Sequence, residues 1–342
     1  MRIAIVNDLA LAREVLRRVV AAMPGYSVAW TAEDGDEAVR KAADDRPDVI
    51  LMDLVMPSVD GAEATGRIMR KCPCPILIVT SSVNTNFPLV FQALGAGAVD
   101  AVDTPTLGPS GTIQNATKLV ERLKKLEDAI AGMSGSSVVL TPLSRAVPAD
   151  LPPVVALGAS TGGPEALVHV VSAFPAGFPA AVLISQHIGA DFAPALVQQL
   201  ATWCALPVKA ARDGDVPQPG TVYVAASDDH LELGADRVLR YTASPRSSPY
   251  RPNIDVLFTS AAANCPRIGV AALLTGMGRD GAAGLLKLRA AGWHTIAQDE
   301  ETSVVKDGMP KAAVERNAAV EVLPIQSVGP RVVAKIAALK KK

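Results

Sequence analysis

Continuous apolar runs and amphipathic stretches alternate along the chain in two blocks, with a polar interval between them. Ile3-Ala4-Ile5-Val6 has no polar residue on either face, the pattern of a strand covered on both sides. From Leu9 to Met23 the apolar positions recur at helical spacing, until Pro24-Gly25 stops them. The two patterns then repeat. Strands are predicted at 28–31, 49–52, 76–79 and 99–102, and helices at 36–44, 62–71, 87–94 and, longer and more charged, 113–130. The helix from Asp36 opens on acidic residues, which suits the positive end of a helix dipole. Strand–helix units in unbroken succession predict a parallel sheet with helices on both faces.

The rhythm breaks at 132–149. Gly132-Met133-Ser134-Gly135-Ser136-Ser137, Thr141-Pro142 and Val147-Pro148 have the composition of a linker. After Pro152-Pro153 the alternation restarts, with strands predicted at 154–157, 180–185, 221–225, 269–275 and 294–297 and helices at 164–173, 191–202 and 331–339. The expected division is a first domain over 1–125, a linker over 126–149 and a second α/β domain over 150–342. Lys340-Lys341-Lys342 reads as a solvated cationic helix end.

Composition narrows the function. A length of 342 residues accommodates about two ordinary domains, and a hydrophobic content of 49% lets each build its own core. A net charge of −1 offers no basic stripe for nucleic acid. The longest apolar runs have strand length, so no membrane insertion is expected. The N-terminus shows no signal-peptide pattern. Cys72, Cys74, Cys204 and Cys265 lack zinc-ligand spacing and read as reduced thiols of a cytoplasmic protein.

In parallel α/β sheets, ligands bind beyond the carboxyl ends of the strands. In the first block these ends carry Asn7-Asp8, Asp53 and Thr80-Ser81. Such an oxygen-rich set suits Mg²⁺. A carboxylate beside that ion can attack a phosphoryl donor, because the metal neutralises the developing charge. In the second block, Gly158-Ala159-Ser160-Thr161-Gly162 follows a strand and precedes a helix. A Gly-x-Ser-x-Gly turn in that setting displays its serine as a nucleophile. Of the four histidines, His187 ends the strand at 180–185 and reaches the same sheet edge. His169 lies mid-helix, His230 in a turn and His294 at a strand start, so His187 is the expected base. The third member is expected in Gly276-Met277-Gly278-Arg279-Asp280-Gly281, where Asp280 would fix the imidazole tautomer; Asp255 and Asp299 are its rivals. The backbone N–H groups of Thr161 and Met277 are candidate donors to an oxyanion. A dinucleotide site does not fit. Ser160 replaces the middle glycine, no Gly-Lys-Ser/Thr occurs, and the next strand ends in Gln186-His187 where an acid is needed.

Residues 1 to about 125 resemble the receiver domain of two-component response regulators, on Asp8, Asp53, Met56-Pro57, Asp60-Gly61 and Thr80. That resemblance implies a flavodoxin-like fold and Asp53 as phospho-acceptor. It also implies Mg²⁺ held by Asp8 and Asp53, with Asn7, Asp8 and Thr80 supporting the phosphosite. Asn7 stands where a second acid is common, and Thr104 of Val102-Asp103-Thr104-Pro105 where a lysine is expected. The whole chain resembles the chemotaxis-type protein-glutamate methylesterases, the CheB family. The second half of that likeness rests on Gly158 to Pro164, Gln186-His187, Thr275 to Ala282 and Met309-Pro310-Lys311-Ala312-Ala313.

The resemblance implies two doubly wound parallel-sheet domains, the second an α/β serine hydrolase without a cofactor. It implies hydrolysis of glutamate γ-methyl esters on the cytoplasmic helices of chemoreceptors, deamidation of receptor glutamines in some members, and gating through phosphorylation by a CheA-type histidine kinase. It assigns Ser160 as nucleophile, His187 as base and Asp280 as orienter, with Thr161 and Met277 at the oxyanion. Ile188-Gly189 stands where Met-Pro is usual, and the stretch 304–309 carries one additional residue. With Asn7 and Thr104, these departures suggest a branch serving a non-flagellar pathway, such as the surface-sensing Wsp type. The alternative is a catalytically weak phosphate sink or scaffold, which Thr104 favours and the intact Ser160, His187 and Asp280 oppose.

Overall fold

The computed structural model describes residues 1–132 and 152–339, apart from residues 84, 109, 247, 249 and 266–268. The chain divides into two compact units between Ala131 and Gly132.

The first unit runs β1 (Arg2–Val6), α1 (Ala10–Ala21), β2 (Ser27–Ala32), α2 (Gly35–Asp44), β3 (Val49–Met52), α3 (Gly61–Lys71), β4 (Ile76–Thr80), α4 (Phe87–Ala96) and β5 (Asp100–Asp103). The strands form one parallel sheet in the order β2-β1-β3-β4-β5. The apolar runs of β1, β3 and β4 are buried throughout, apart from Arg2, because helices cover both faces. Asp34 and Asp60 cap α2 and α3 by accepting from the N–H groups of Glu37 and Glu63, at 2.8 Å each. Between β5 and α5 (Thr117–Gly132) the structure departs from the sequence pattern, which predicts helix from 113. Thr106–Leu107 (β6) and Ile113–Gln114 (β7) form an antiparallel pair instead, and Ile113 packs against the core from that pair. Residues 126–132, the start of the expected linker, belong to α5; residues 133–149 and the lysine tail lie outside the described residues.

The second unit runs β8 (Val154–Ala159), α6 (Gly163–Val171), β9 (Ala181–Gln186), a 3₁₀ turn at Ala190–Phe192, α7 (Ala193–Trp203), β10 (Val208–Ala210), β11 (Val222–Val224), β12 (His230–Leu233), β13 (Leu239–Thr242), α8 (Ile254–Asn264), β14 (Gly269–Leu273), α9 (Ala282–Ala290), β15 (His294–Gln298), α10 (Met309–Glu315), β16 (Glu321–Leu323) and α11 (Ile325–Leu339). Its parallel sheet has the order β10-β11-β9-β8-β14-β15-β16, while β12 and β13 form a separate hairpin. β8, β9 and β14 are buried along their whole length. The sequence pattern places the last helix after Pro330; it starts earlier, at Ile325, because Ile325 and Val328 also bury their side chains.

On one face of the sheet, α8 presents Ile254, Leu257, Phe258 and Ala261 at helical spacing to a core that includes Leu273, Leu285 and Trp293. Phe258 is fully buried there. Phe258→Ala should therefore destabilise the second unit by about 3–5 kcal/mol, seen as a lower denaturant midpoint for that unit's transition. Phe258→Leu should lose markedly less.

Candidate functional site

Strand register brings three chain segments to one edge. The N–H of His187 donates to the carbonyl of Ala159 and that of Ser160 to the carbonyl of Thr275, both at 3.0 Å, so the ends of β9, β8 and β14 lie level. From β8 the chain passes to β9 on one side and returns to β14 on the other. The three ends thus flank the reversal of strand order, where a crevice forms. After Ser160 the backbone turns at once into α6. The left-handed residue of that turn is Gly162, with φ 76°, and the carbonyl of Ser160 accepts from Gly163 N–H at 2.7 Å and from Gln186 Nε2 at 2.8 Å. Gly276 packs so closely that a Cβ on it would lie 2.5 Å from the Cβ of Ser160. Only a glycine there lets the turn after β14 approach the serine.

The side chains form a continuous series. Ser160 Oγ lies 3.0 Å from His187 Nδ1, and His187 Nε2 lies 2.7 Å from Asp280 Oδ2. The side chains of His187 and Asp280 are only 8% and 3% exposed. Asp280 also accepts from the backbone N–H groups of Ile254 (2.7 Å), Gly281 (2.9 Å) and Asp255 (3.0 Å). Burial pushes the pKa of this carboxyl up. The hydrogen bond and charge of His187, with the N–H groups of Ile254 and Asp255, outweigh that push and hold it below its usual value. An ionised Asp280 can only accept, so Nε2 carries the imidazole proton and the Nδ1 lone pair faces the Ser160 hydroxyl. Among the described residues the N–H groups of Thr161 and Met277 donate to no other group of the chain.

The rivals fall elsewhere. Asp299 caps its own turn, accepting from Thr302 N–H and Oγ at 2.9 and 2.6 Å. Asp255 accepts from Gly284 N–H at 2.5 Å. Burial, then the charge of Asp280, pushes its carboxyl up to about 7. His169 is exposed on α6, and His294 at the start of β15 pairs with Glu321 at 3.0 Å. His230, expected in a turn, opens β12 and is fully buried.

Sequence reasoning missed two parts of this edge. One is the N-terminus of α8, which supplies the donors to Asp280. The cap at Asn253, which accepts from Val256 N–H at 2.9 Å, and the helical spacing from Ile254 were the available signals. The other is Tyr250, whose ring stacks on His187; no sequence spacing reports a stack between distant segments.

In the first unit, Asp8 and Asp53 follow β1 and β3, again at a reversal of strand order. Asp53 is buried, accepting from Leu54 N–H at 2.7 Å and from Asn7 Nδ2 at 2.8 Å. The Asn7 amide oxygen accepts from Leu9 N–H, so the amide turns its donor towards Asp53. Thr80 is buried with its hydroxyl accepting from Asn86 Nδ2, and the Thr104 N–H donates to the Thr80 carbonyl. A Cβ on Gly61 would lie 1.9 Å from the Asp53 carbonyl oxygen, so α3 begins hard against the backbone of Asp53. Burial pushes the Asp53 carboxyl up to about 6; the N–H groups of Leu54 and Val55 pull it down, and the charge of Asp8 adds to the rise.

Fold and side chains together define an α/β domain of serine-hydrolase type preceded by a receiver-type sheet. Residues 155–332 match the CheB methylesterase family and residues 3–108 the response regulator receiver domain. The chain is 48% identical over 337 residues to a protein-glutamate methylesterase/protein-glutamine glutaminase of Burkholderia orbicola, covering 98% of both chains. It is 46% identical over 333 residues to a like-named protein of Cupriavidus pinatubonensis, covering 97% of both. The crystal structure of the Thermotoga maritima CheB methylesterase catalytic domain superposes with a TM-score of 0.52 at 35% identity, over 54% of this chain and 99% of that one. The chain belongs to the CheB methylesterase family.

The raised pKa of Asp53 has a sign that can be tested. Below about pH 4 the carboxyl is protonated both folded and unfolded, with no penalty. Above about pH 6 the folded unit must bury a charge that the unfolded chain solvates. Asp53→Asn should therefore stabilise the first unit by ~2–3 kcal/mol above pH 6, and the gain should vanish towards pH 4. Thermal melts of both proteins across that range check this.

Proposed function

We propose that this chain hydrolyses glutamate γ-methyl esters on the cytoplasmic helices of chemoreceptors, releasing methanol, at a rate set by phosphorylation of its receiver. The observation that carries the reading is the hydrogen-bonded series Ser160, His187, Asp280 at the edge of the second sheet. Near-full-length relatives bearing the methylesterase name support the substrate class. Ser160 Oγ attacks the ester carbonyl carbon as its proton passes to His187 Nδ1. The N–H groups of Thr161 and Met277 face the resulting oxyanion. Collapse expels methoxide, which takes the proton from Nδ1 and leaves as methanol. A water molecule then attacks the acyl-serine, its proton passes to Nδ1 and on to Ser160 Oγ, and the receptor glutamate is released. Asp280 remains ionised and stabilises the imidazolium throughout. With a glutamine side chain the same steps expel ammonia, which is the second activity in the relatives' name.

In the receiver, Asp53 accepts the phosphoryl group from a CheA-type histidine kinase, with Asn7 and Thr80 supporting the site. Asp8 and Asp53 are hard oxygen ligands suited to Mg²⁺, and the buried, charge-averse Asp53 is a carboxylate that a cation would relieve. The ion's contribution is neutralisation of charge on the phosphoryl group. Among the described residues no group of three or more His, Cys, Asp or Glu side chains could hold a metal, so the set is leaner than a three-carboxylate cage. No helix among the described residues is long and apolar enough to cross a membrane; the substrate and kinase are the partners this reading requires.

Methanol release from a methylated receptor fragment, with and without a small acyl-phosphate donor, tests the whole reading. Ser160→Ala should fall to background. Asp280→Asn should lose on the order of 10³- to 10⁴-fold in kcat. Asp53→Asn should keep its basal rate and lose the response to the acyl phosphate. Undiminished methanol release by Ser160→Ala would overturn the assignment.

A further inference from the structure

Tyr250 stands outside the hydrogen-bonded series, yet it touches the member that must move a proton. Its ring lies parallel to the His187 imidazole, with centroids 4.3 Å apart and planes 6° from parallel. The imidazole meets Ser160 through Nδ1 and Asp280 through Nε2, and the lone pair and N–H of these nitrogens lie in the ring plane. Tilting that plane would spoil both at once, and the tyrosine ring blocks tilting from one face. Sliding within the plane remains allowed.

Tyr250 is itself held. The connection from β13 to α8 is clamped by the buried His230, whose Nε2 donates to the Pro245 carbonyl at 3.2 Å while its Nδ1 accepts from Asn253 N–H at 3.1 Å. Ser248 Oγ accepts from Tyr250 N–H and Asn253 Nδ2 and donates to the Tyr250 carbonyl, at 3.3, 3.0 and 3.0 Å. The phenol oxygen lies against the turn after β14. A Cβ on Gly278 would fall 2.6 Å from it. The same connection ends at Asn253, the cap of the helix that holds Asp280. One segment thus supports both the face of the imidazole and the donors to its carboxylate partner.

We propose that Tyr250 is a positioning residue of the esterase, stacked on His187 to keep the imidazole plane where Nδ1 meets Ser160 and Nε2 meets Asp280 together. Its kinetic consequence rests on the methylesterase reading; its structural consequence does not. Two readouts on the full chain test it. In proton NMR, the His187 Nε2–H bonded to Asp280 should give a downfield imidazole resonance, assigned by its loss in His187→Gln. Tyr250→Phe keeps the flat ring and should keep that resonance, with kcat within about threefold of wild type. Tyr250→Ala should broaden the resonance through exchange and lower kcat about 10- to 100-fold, with KM within about twofold, the cost typical of a misplaced catalytic group. Tyr250→Leu fills the space without a flat face; it should also lose the sharp resonance and rate, and it decides the matter if the alanine variant fails to fold. A leucine variant matching Tyr250→Phe in both readouts would overturn the proposal, as would a change in KM alone, which would mark a substrate contact. If Ser160→Ala retained full activity, the methylesterase reading would fall, and the resonance would still decide the role of Tyr250.

Discussion

The Asp280 carboxylate has almost no contact with solvent, and burying a lone charge costs several kcal/mol unless donors replace the lost water. Here three backbone N–H groups and one imidazole N–H do so, and two of the backbone donors open α8, where the helix dipole also favours an anion. The rest of this sheet edge follows from it. α8 has to begin beside the turn after β14, so Asn253 caps it there and Ile254, Leu257 and Phe258 anchor it in the core. With the carboxylate kept ionised, the imidazole tautomer is fixed and the serine hydroxyl finds a lone pair. Burial and the charge of Asp280 also push the neighbouring carboxyl of Asp255 up.

The two units solve one geometric problem twice. Each is a parallel sheet whose strand order reverses beside its first strand, β1 in one and β8 in the other. Helices that leave the sheet on opposite faces diverge there and open a crevice at the strand ends. The first unit places carboxylates in it, the second a hydroxyl, an imidazole and a carboxylate. Both crevices also depend on close backbone approaches that a side chain would prevent, at Gly61 beneath Asp53 and at Gly276 beside Ser160.

Much of this was legible in the sequence, because buried parallel strands are short apolar runs and the side chains gathered at a sheet edge lie at or soon after their ends. Ser160 and His187 directly follow such runs, and Asp280 lies in the glycine-rich turn after another. Asp255 and Asp299 could not be set aside from sequence, since only the fold shows one beside α9 and the other closed on its own turn. The β6–β7 hairpin and the edge strands β10 and β16 escaped because short, half-exposed strands carry little hydrophobic pattern. Tyr250 and the N-terminus of α8 escaped for another reason. Their importance comes from meeting His187 and Asp280 across tens of residues of chain.

The positions expected from the sequence to depart from the family's common pattern share one kind of address. Asn7, Thr104, Ile188-Gly189 and, of the stretch 304–309, all but Met309 fall in connections that follow strands, outside the buried strand residues themselves. Such sites can be altered singly, without repacking a sheet. Each can therefore change by itself while the frame that carries it is inherited intact.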